Sequence, residues 1–132
     1  MQKGLTGDLP SLKQAIRREL EDANKARIDG NEGRARVCAR RAAGWAVSVK
    51  RGLMEKIEIE SNAYDMLQWL AQQADTADAV RSAAIRLTTR VSHDHTLPFP
   101  EDPLEDAWMI VEALLGAGGI SKGDGSVSDN SV

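Results

Sequence analysis

The chain has 132 residues, of which 42% are hydrophobic, 28% are charged and 4% are aromatic. This length suits one globular domain, and the composition is ordinary for such a domain. The formal net charge of −3 gives the molecule no general attraction for nucleic acid, so binding of that kind needs a local basic patch. The aromatic residues are few and alanines are many, which favours helices over strands.

Cysteine usage and hydropathy indicate the compartment. Cys38 is the one cysteine in the sequence, so no internal disulfide is available. We find no apolar run like that of a signal peptide, and none near the roughly 18–20 residues of a membrane span. The sequence therefore predicts a cytoplasmic protein without membrane contact.

Two helices are predicted first, over residues 11–28 and 32–51. In the first helix, apolar residues recur at steps of three and four, as in an amphipathic helix. These residues are Leu12, Ile16, Leu20 and Ala23. The second helix has a stripe of small residues that lets a neighbouring helix approach closely. Because only the turn-forming residues 29–31 separate the two helices, we expect an antiparallel hairpin.

Three further helices are predicted, over residues 62–74, over residues 77–91 and from Pro103 onward. The last has the best start signal, with Asp102 as N-cap, Pro103 at the first helical position and Glu105 placed for a capping box. Residues 53–60 fit either a frayed helix or an irregular connector. The predicted fold is an all-α, up-and-down bundle of about five helices.

The domain limits follow from these elements. Residues 1–9 are predicted to be a flexible N-terminus and residues 10–117 the helical bundle domain. Residues 118–132 are rich in Ser, Gly, Asp and Asn, have almost nothing to bury, and are predicted to be a disordered tail.

The segment from Arg86 to His95 is the first candidate site. Arg86 and His93 are separated by six residues, and Arg90 and His95 by four. A histidine moves protons near neutral pH and an arginine holds a phosphate, so such a pair could cleave RNA without a metal. By spacing alone, a solvated helix end is the more common interpretation. One short His-Asp-His loop is a poor metal site, so neither a metal nor a cofactor is predicted.

The second candidate site is a group of arginines on the second helix. They are Arg34, Arg36, Arg40 and Arg41. This face would contact a phosphate, RNA or an acidic protein partner. The alternative is a solvated face whose arginines pair with Glu19, Glu21 or Glu32, which is the more common behaviour of charged helix faces.

An acidic cluster at the start of the last helix is a third candidate. It comprises Glu101, Asp102, Glu105 and Asp106. Carboxylates bind cations, but Asp102 and Glu105 are already explained as caps, which favours the capping role. No DNA-binding motif is present.

Three stretches give the chain a resemblance to the HEPN superfamily of small bacterial and archaeal helical domains. The first is residues 26–44, which cover the end of the first predicted helix, the turn and the first part of the second. The others are residues 80–87 and Glu105-Asp106-Ala107-Trp108. Together these features resemble the family over roughly residues 12–115.

The resemblance implies a homodimeric helical module associated with a nucleotide or RNA. Active members carry an arginine, then four to six residues, then a histidine, which assigns Arg86 or Arg90 to the phosphate and His93 or His95 to proton transfer. Members without that motif serve as partners of nucleotidyltransferases or as ligand-binding modules, and a toxin–antitoxin context is also implied. The sequence thus leaves open a ribonuclease and a non-catalytic interaction domain.

Overall fold

A computed structural model describes residues 9–51, 63–89 and 100–116. The described part contains five helices and no strand, which confirms the all-α bundle. The helices are α1 (Leu9–Ile28), α2 (Glu32–Lys50), α3 (Ala63–Ala71), α4 (Asp78–Leu87) and α5 (Pro103–Leu115). Predictions for residues 1–8, 53–60 and 118–132 lie outside the described residues.

The α1–α2 hairpin is confirmed, and its turn has a specific geometry. Gly30 adopts a φ of 86°, in the left-handed region that favours glycine. The amides of Gly30 and Asn31 donate to the carbonyls of Arg27 and Ala26, which closes α1 in a Schellman motif. The Asn31 side chain then accepts from the amide of Arg34 as the N-cap of α2. One short turn thus ends α1 and starts α2.

The second half of α2 is enclosed on all sides by other helices. Seven consecutive residues, 42–48, are buried, although a surface helix exposes at least one side of every turn. Helices α1, α3 and α5 all pack against α2, and its small side chains let them approach closely. At Gly44 the backbone of α3 comes so near that a Cβ atom would lie 2.5 Å from Ala63 Cβ.

Helices α4 and α5 pack antiparallel, with the end of α4 beside the start of α5. The predicted start of α5 is confirmed, because Asp102 accepts a hydrogen bond from the amide of Leu104 and Pro103 is the first helical residue. Helix α4 ends four residues earlier than predicted. The hydroxyls of Thr88 and Thr89 donate to the carbonyl of Ile85 and so satisfy acceptors at this helix end.

Helix α3 is shorter than predicted and ends at Ala71 rather than near residue 74. The amides of Gln72 and Gln73 donate to carbonyls three residues earlier, so the chain tightens into turns. The Gln73 side chain also donates to the Trp69 carbonyl, which satisfies an acceptor at the helix end.

Buried residues from all five helices form a single core cluster. The predicted stripe of α1 is confirmed by Leu12, Ile16, Leu20 and Ala23, which are at most 2% exposed. Val80 and Leu87 of α4 are buried as well, whereas Ala74 is exposed. Among the described helices, none combines the length and the hydropathy needed to cross a bilayer.

Replacing Gly44 by alanine tests the close approach of α2 and α3. The new methyl group would overlap the Cα and Cβ atoms of Ala63, so the two helices must move apart. We expect Gly44→Ala to lower the free energy of unfolding by about 1–3 kcal/mol, measured by urea denaturation.

Gly33→Ala is the matched control, because Gly33 is exposed in the first turn of the same helix and its nearest neighbour is 3.9 Å away. We expect Gly33→Ala to be neutral or stabilising by about 0.5–1 kcal/mol. Equal destabilisation by both substitutions would contradict the packing described for Gly44.

Candidate functional site

Arg86, a predicted catalytic residue, is held in an ion pair at the end of α4. Its Nε and Nη2 atoms each donate to Asp106 at 2.9 Å, and Nη1 lies 3.8 Å from Glu101. The Asp106 side chain is only 3% exposed, and its hydrogen bonds raise the pKa of the Arg86 guanidinium. A buried carboxylate requires such a partner, so Arg86 has a structural role here.

A second ion pair ties the start of α5 to the end of α1. Arg27 donates to both carboxylate oxygens of Asp102 at 2.8 Å and also bonds to Glu32 of α2. The hydrogen bonds to Asp102, followed by those to Glu32, raise the pKa of Arg27. Asp102 therefore caps α5 and anchors it to the α1–α2 hairpin at the same time.

Arg90, His93 and His95 lie outside the described residues. Of the predicted arginine–histidine site, the structure places only Arg86. For Arg86 to hold a substrate phosphate, it would first have to leave a carboxylate that is buried in the core. This cost weighs against a role in catalysis for Arg86.

The four arginines of α2 divide into one that is paired across the hairpin and three that are not. Arg41 donates to Glu19 of α1 at 2.8 Å, one of the pairings that the sequence left open. Arg34, Arg36 and Arg40 form no ion pair with any carboxylate in the described part of the chain. Three positive charges on one helix thus lack a partner among the described residues.

These three arginines surround an exposed apolar side chain. Val37 is 41% exposed, with Arg34 and Arg40 three residues before and after it on the helix surface. Arg40 is half-buried, and burial followed by the charge of Arg36 lowers the pKa of its guanidinium. We call Arg34, Arg36, Val37 and Arg40 the α2 cationic patch.

Sequence reasoning missed two features of this region. It treated Asp106 as part of a capping cluster, but a carboxylate one residue before buried Ala107 and four before buried Ile110 is a candidate for a buried ion pair. It also passed over Val37, which lies off the small-residue stripe of α2. Helical periodicity indicates both features. Asp106 is a polar residue at a position on the core face of its helix, and Val37 is an apolar residue on a charged face.

Cys38 and Glu19 lie beneath the patch, between α1 and α2. Cys38 is 1% exposed, and burial followed by the nearby charge of Glu19 raises the pKa of its thiol. The thiol is thus part of the packing between helices. Within the described ranges, no three residues of His, Cys, Asp or Glu are grouped to hold a metal ion.

No family model, no curated protein and no solved structure matches this chain.

Removing the carboxylate of Asp106 tests the role assigned to Arg86. Asp106→Ala would leave the Arg86 guanidinium, 20% exposed, without its main partner. We expect a loss of about 2–4 kcal/mol in the free energy of unfolding, measured by urea denaturation. Glu101→Ala removes only a distant, half-exposed partner and should cost less than about 1 kcal/mol. A negligible effect of Asp106→Ala would show that the pair does not anchor α5.

The thiol of Cys38 should be unreactive in the folded protein. Its pKa is raised and its side chain is buried, so little thiolate is present or accessible at pH 8. With Ellman's reagent we expect no fast colour development in buffer and one thiol per chain after unfolding in guanidinium chloride. A rapid reaction of the native protein would contradict the buried position of Cys38.

Proposed function

We propose that this chain is a non-catalytic interaction module that docks an acidic protein partner on the α2 cationic patch. The observation that carries the proposal is the arrangement of three arginines, without carboxylate partners in the described residues, around an exposed valine. An apolar centre with a polar rim is the usual anatomy of a protein interface, and arginine is enriched there.

The pairing of the remaining arginines supports this choice over catalysis. Arg27, Arg41 and Arg86 are each engaged by a carboxylate that belongs to the fold. Arg34, Arg36 and Arg40 have no such partner among the described residues, and they surround Val37 on one helix. A rigid helical face loses little conformational entropy when it docks a partner.

RNA or nucleotide association, as in the resemblance to HEPN domains, is the second candidate function. It is favoured by the same three arginines, because guanidinium groups also bind phosphates. In its ribonuclease form, His93 or His95 transfers the proton and Arg86 or Arg90 holds the phosphate. The homodimer, the nucleotidyltransferase partner and the cytoplasmic location expected from the sequence belong to this proposal as predictions.

Two labelled probes of matched charge separate the candidates. One is a synthetic peptide of alternating glutamate and leucine, and the other is an RNA oligonucleotide. We expect the peptide to bind by fluorescence anisotropy, and Arg34→Ala with Arg36→Ala to weaken that binding about fivefold through loss of two rim charges. Val37→Ser should weaken peptide binding about threefold, since it removes the apolar centre.

Arg17→Ala with Arg18→Ala is the control, because it removes the same number of arginines from exposed positions on a different helix, α1. It should leave peptide binding within about twofold of the wild type. The labelled RNA should also remain intact on incubation with the wild-type chain. RNA cleavage that is lost in His93→Ala with His95→Ala, or no binding of the peptide, would overturn the proposal.

A further inference from the structure

A cleft between α1 and the second half of α2 adjoins a buried tryptophan. Trp45 of α2 and Ala15 of α1 are among the residues that line it. The ion pair of Arg41 with Glu19 fixes the register of the two antiparallel helices, and four residues further along each helix this register places Trp45 opposite Ala15. The cleft encloses about 360 Å³, which is within the range of roughly 300–1,000 Å³ for small-molecule sites.

The indole N–H of Trp45 is a hydrogen-bond donor that the described part of the chain does not use. The side chain is 5% exposed, and its Nε1 atom is buried without an acceptor among the described residues. A buried indole N–H normally has an acceptor, because burial removes the water that would otherwise bond to it. A ligand in the adjoining cleft can supply the acceptor oxygen that this donor lacks.

Two opposite charges of α1 also line the cleft. Arg18 is exposed and Asp22 is half-buried, and neither forms an ion pair with another residue in the described ranges. They are four residues apart, so they lie on one face of the helix, with about 6 Å between them along its axis. Glu19, the third charged residue of the lining, is already neutralised by Arg41. The lining therefore offers a ligand one guanidinium, one carboxylate and one indole donor.

We infer that this cleft binds a free α-amino acid with an aliphatic side chain. The carboxylate of the ligand accepts hydrogen bonds from the Arg18 guanidinium and the Trp45 indole, and its ammonium group donates to Asp22. Both ionised groups of the ligand thus form charge-assisted hydrogen bonds. The aliphatic side chain contacts the indole ring and Ala15. A free amino acid carries both charges on one carbon atom, whereas the terminal charges of a peptide are far apart.

The cleft is separate from the α2 cationic patch. Trp45 lies eight residues after Val37, which is about 12 Å further along α2. The other residues that line the cleft belong to α1. Binding of an amino acid is therefore a function additional to the docking of a partner, and either can fail without the other.

The indole N–H signals in ¹H–¹⁵N NMR spectra test the inference. Protein labelled with ¹⁵N-tryptophan has three such groups, on Trp45, Trp69 and Trp108, and Trp45→Phe identifies the first by the loss of its signal. The probe is L-leucine. We expect the Trp45 signal to move downfield as the indole donates to the carboxylate, and to saturate with a dissociation constant below about 1 mM. The signals of Trp69 and Trp108, which do not line the cleft, should stay in place.

Two analogues of leucine separate the contributions of its charges. Isocaproate has the same carbon skeleton without the ammonium group, and should bind at least about tenfold more weakly than leucine. Isoamylamine lacks the carboxylate. It should produce no downfield shift of the Trp45 signal, because it has no acceptor oxygen.

Substitutions on α1 test the two charged contacts. Arg18→Gln and Asp22→Asn should each raise the dissociation constant for leucine at least about tenfold. Asp22→Asn should not weaken the binding of isocaproate, because that analogue has no ammonium group. Arg17→Gln and Glu21→Gln are the matched controls, since these exposed neighbours pair with each other and do not line the cleft. They should change the binding of leucine by less than about twofold.

A Trp45 signal that does not move up to about 10 mM leucine would overturn the inference, and water would then be the partner of the indole N–H. An equal downfield shift with isoamylamine would also overturn it. So would an equal loss of leucine binding in Arg17→Gln and Arg18→Gln, because the effect would then come from net charge and not from the cleft. Unchanged helical circular dichroism shows that each variant folds.

Discussion

The enclosure of α2 is the constraint on which the rest of the structure depends. Three helices surround residues 42–48, and this is feasible because most of these side chains are small and Gly44 lets Ala63 come into contact. Since α2 is covered there, its side chains reach the surface mainly in the first half of the helix. The arginines lie in that half, so the packing of the core determines where the charged patch is displayed.

The start of α5 depends on a different interaction, the pairing of arginines with carboxylates. Arg27 comes from the end of α1 and Arg86 from the end of α4, and both bind acidic side chains at the start of α5. Arg27 and Asp102 are 75 positions apart in the sequence, whereas Arg86 and Asp106 are 20 apart and join consecutive helices. Arg86, a predicted phosphate ligand, and Arg27 thus both serve to assemble the bundle.

Periodicity and capping signals predicted most of the fold, because they depend on residues close in the chain. The turn at residues 29–31 and the start of α5 at Asp102 were both correct for this reason. The early end of α4 was not predicted, since Val91 continues the apolar period while the hydroxyls of Thr88 and Thr89 compete for the last carbonyls. The arginine positions were predictable, but which of them is paired depends on contacts between helices.

Charge separation between α2 and α5 connects the fold to the proposed interaction. The net charge of −3 conceals a basic helix and an acidic helix that pack side by side through apolar faces. Among the residues that the structure describes, the arginines of the α2 cationic patch have no carboxylate partner, so ions or another molecule must neutralise them. Counter-ions do so at high ionic strength. At physiological salt the Debye length is about 8 Å, and exposed charges farther apart than this are largely screened from each other. An interaction through the α2 cationic patch is therefore strongest at low salt, whereas the buried core that positions the patch is insensitive to it.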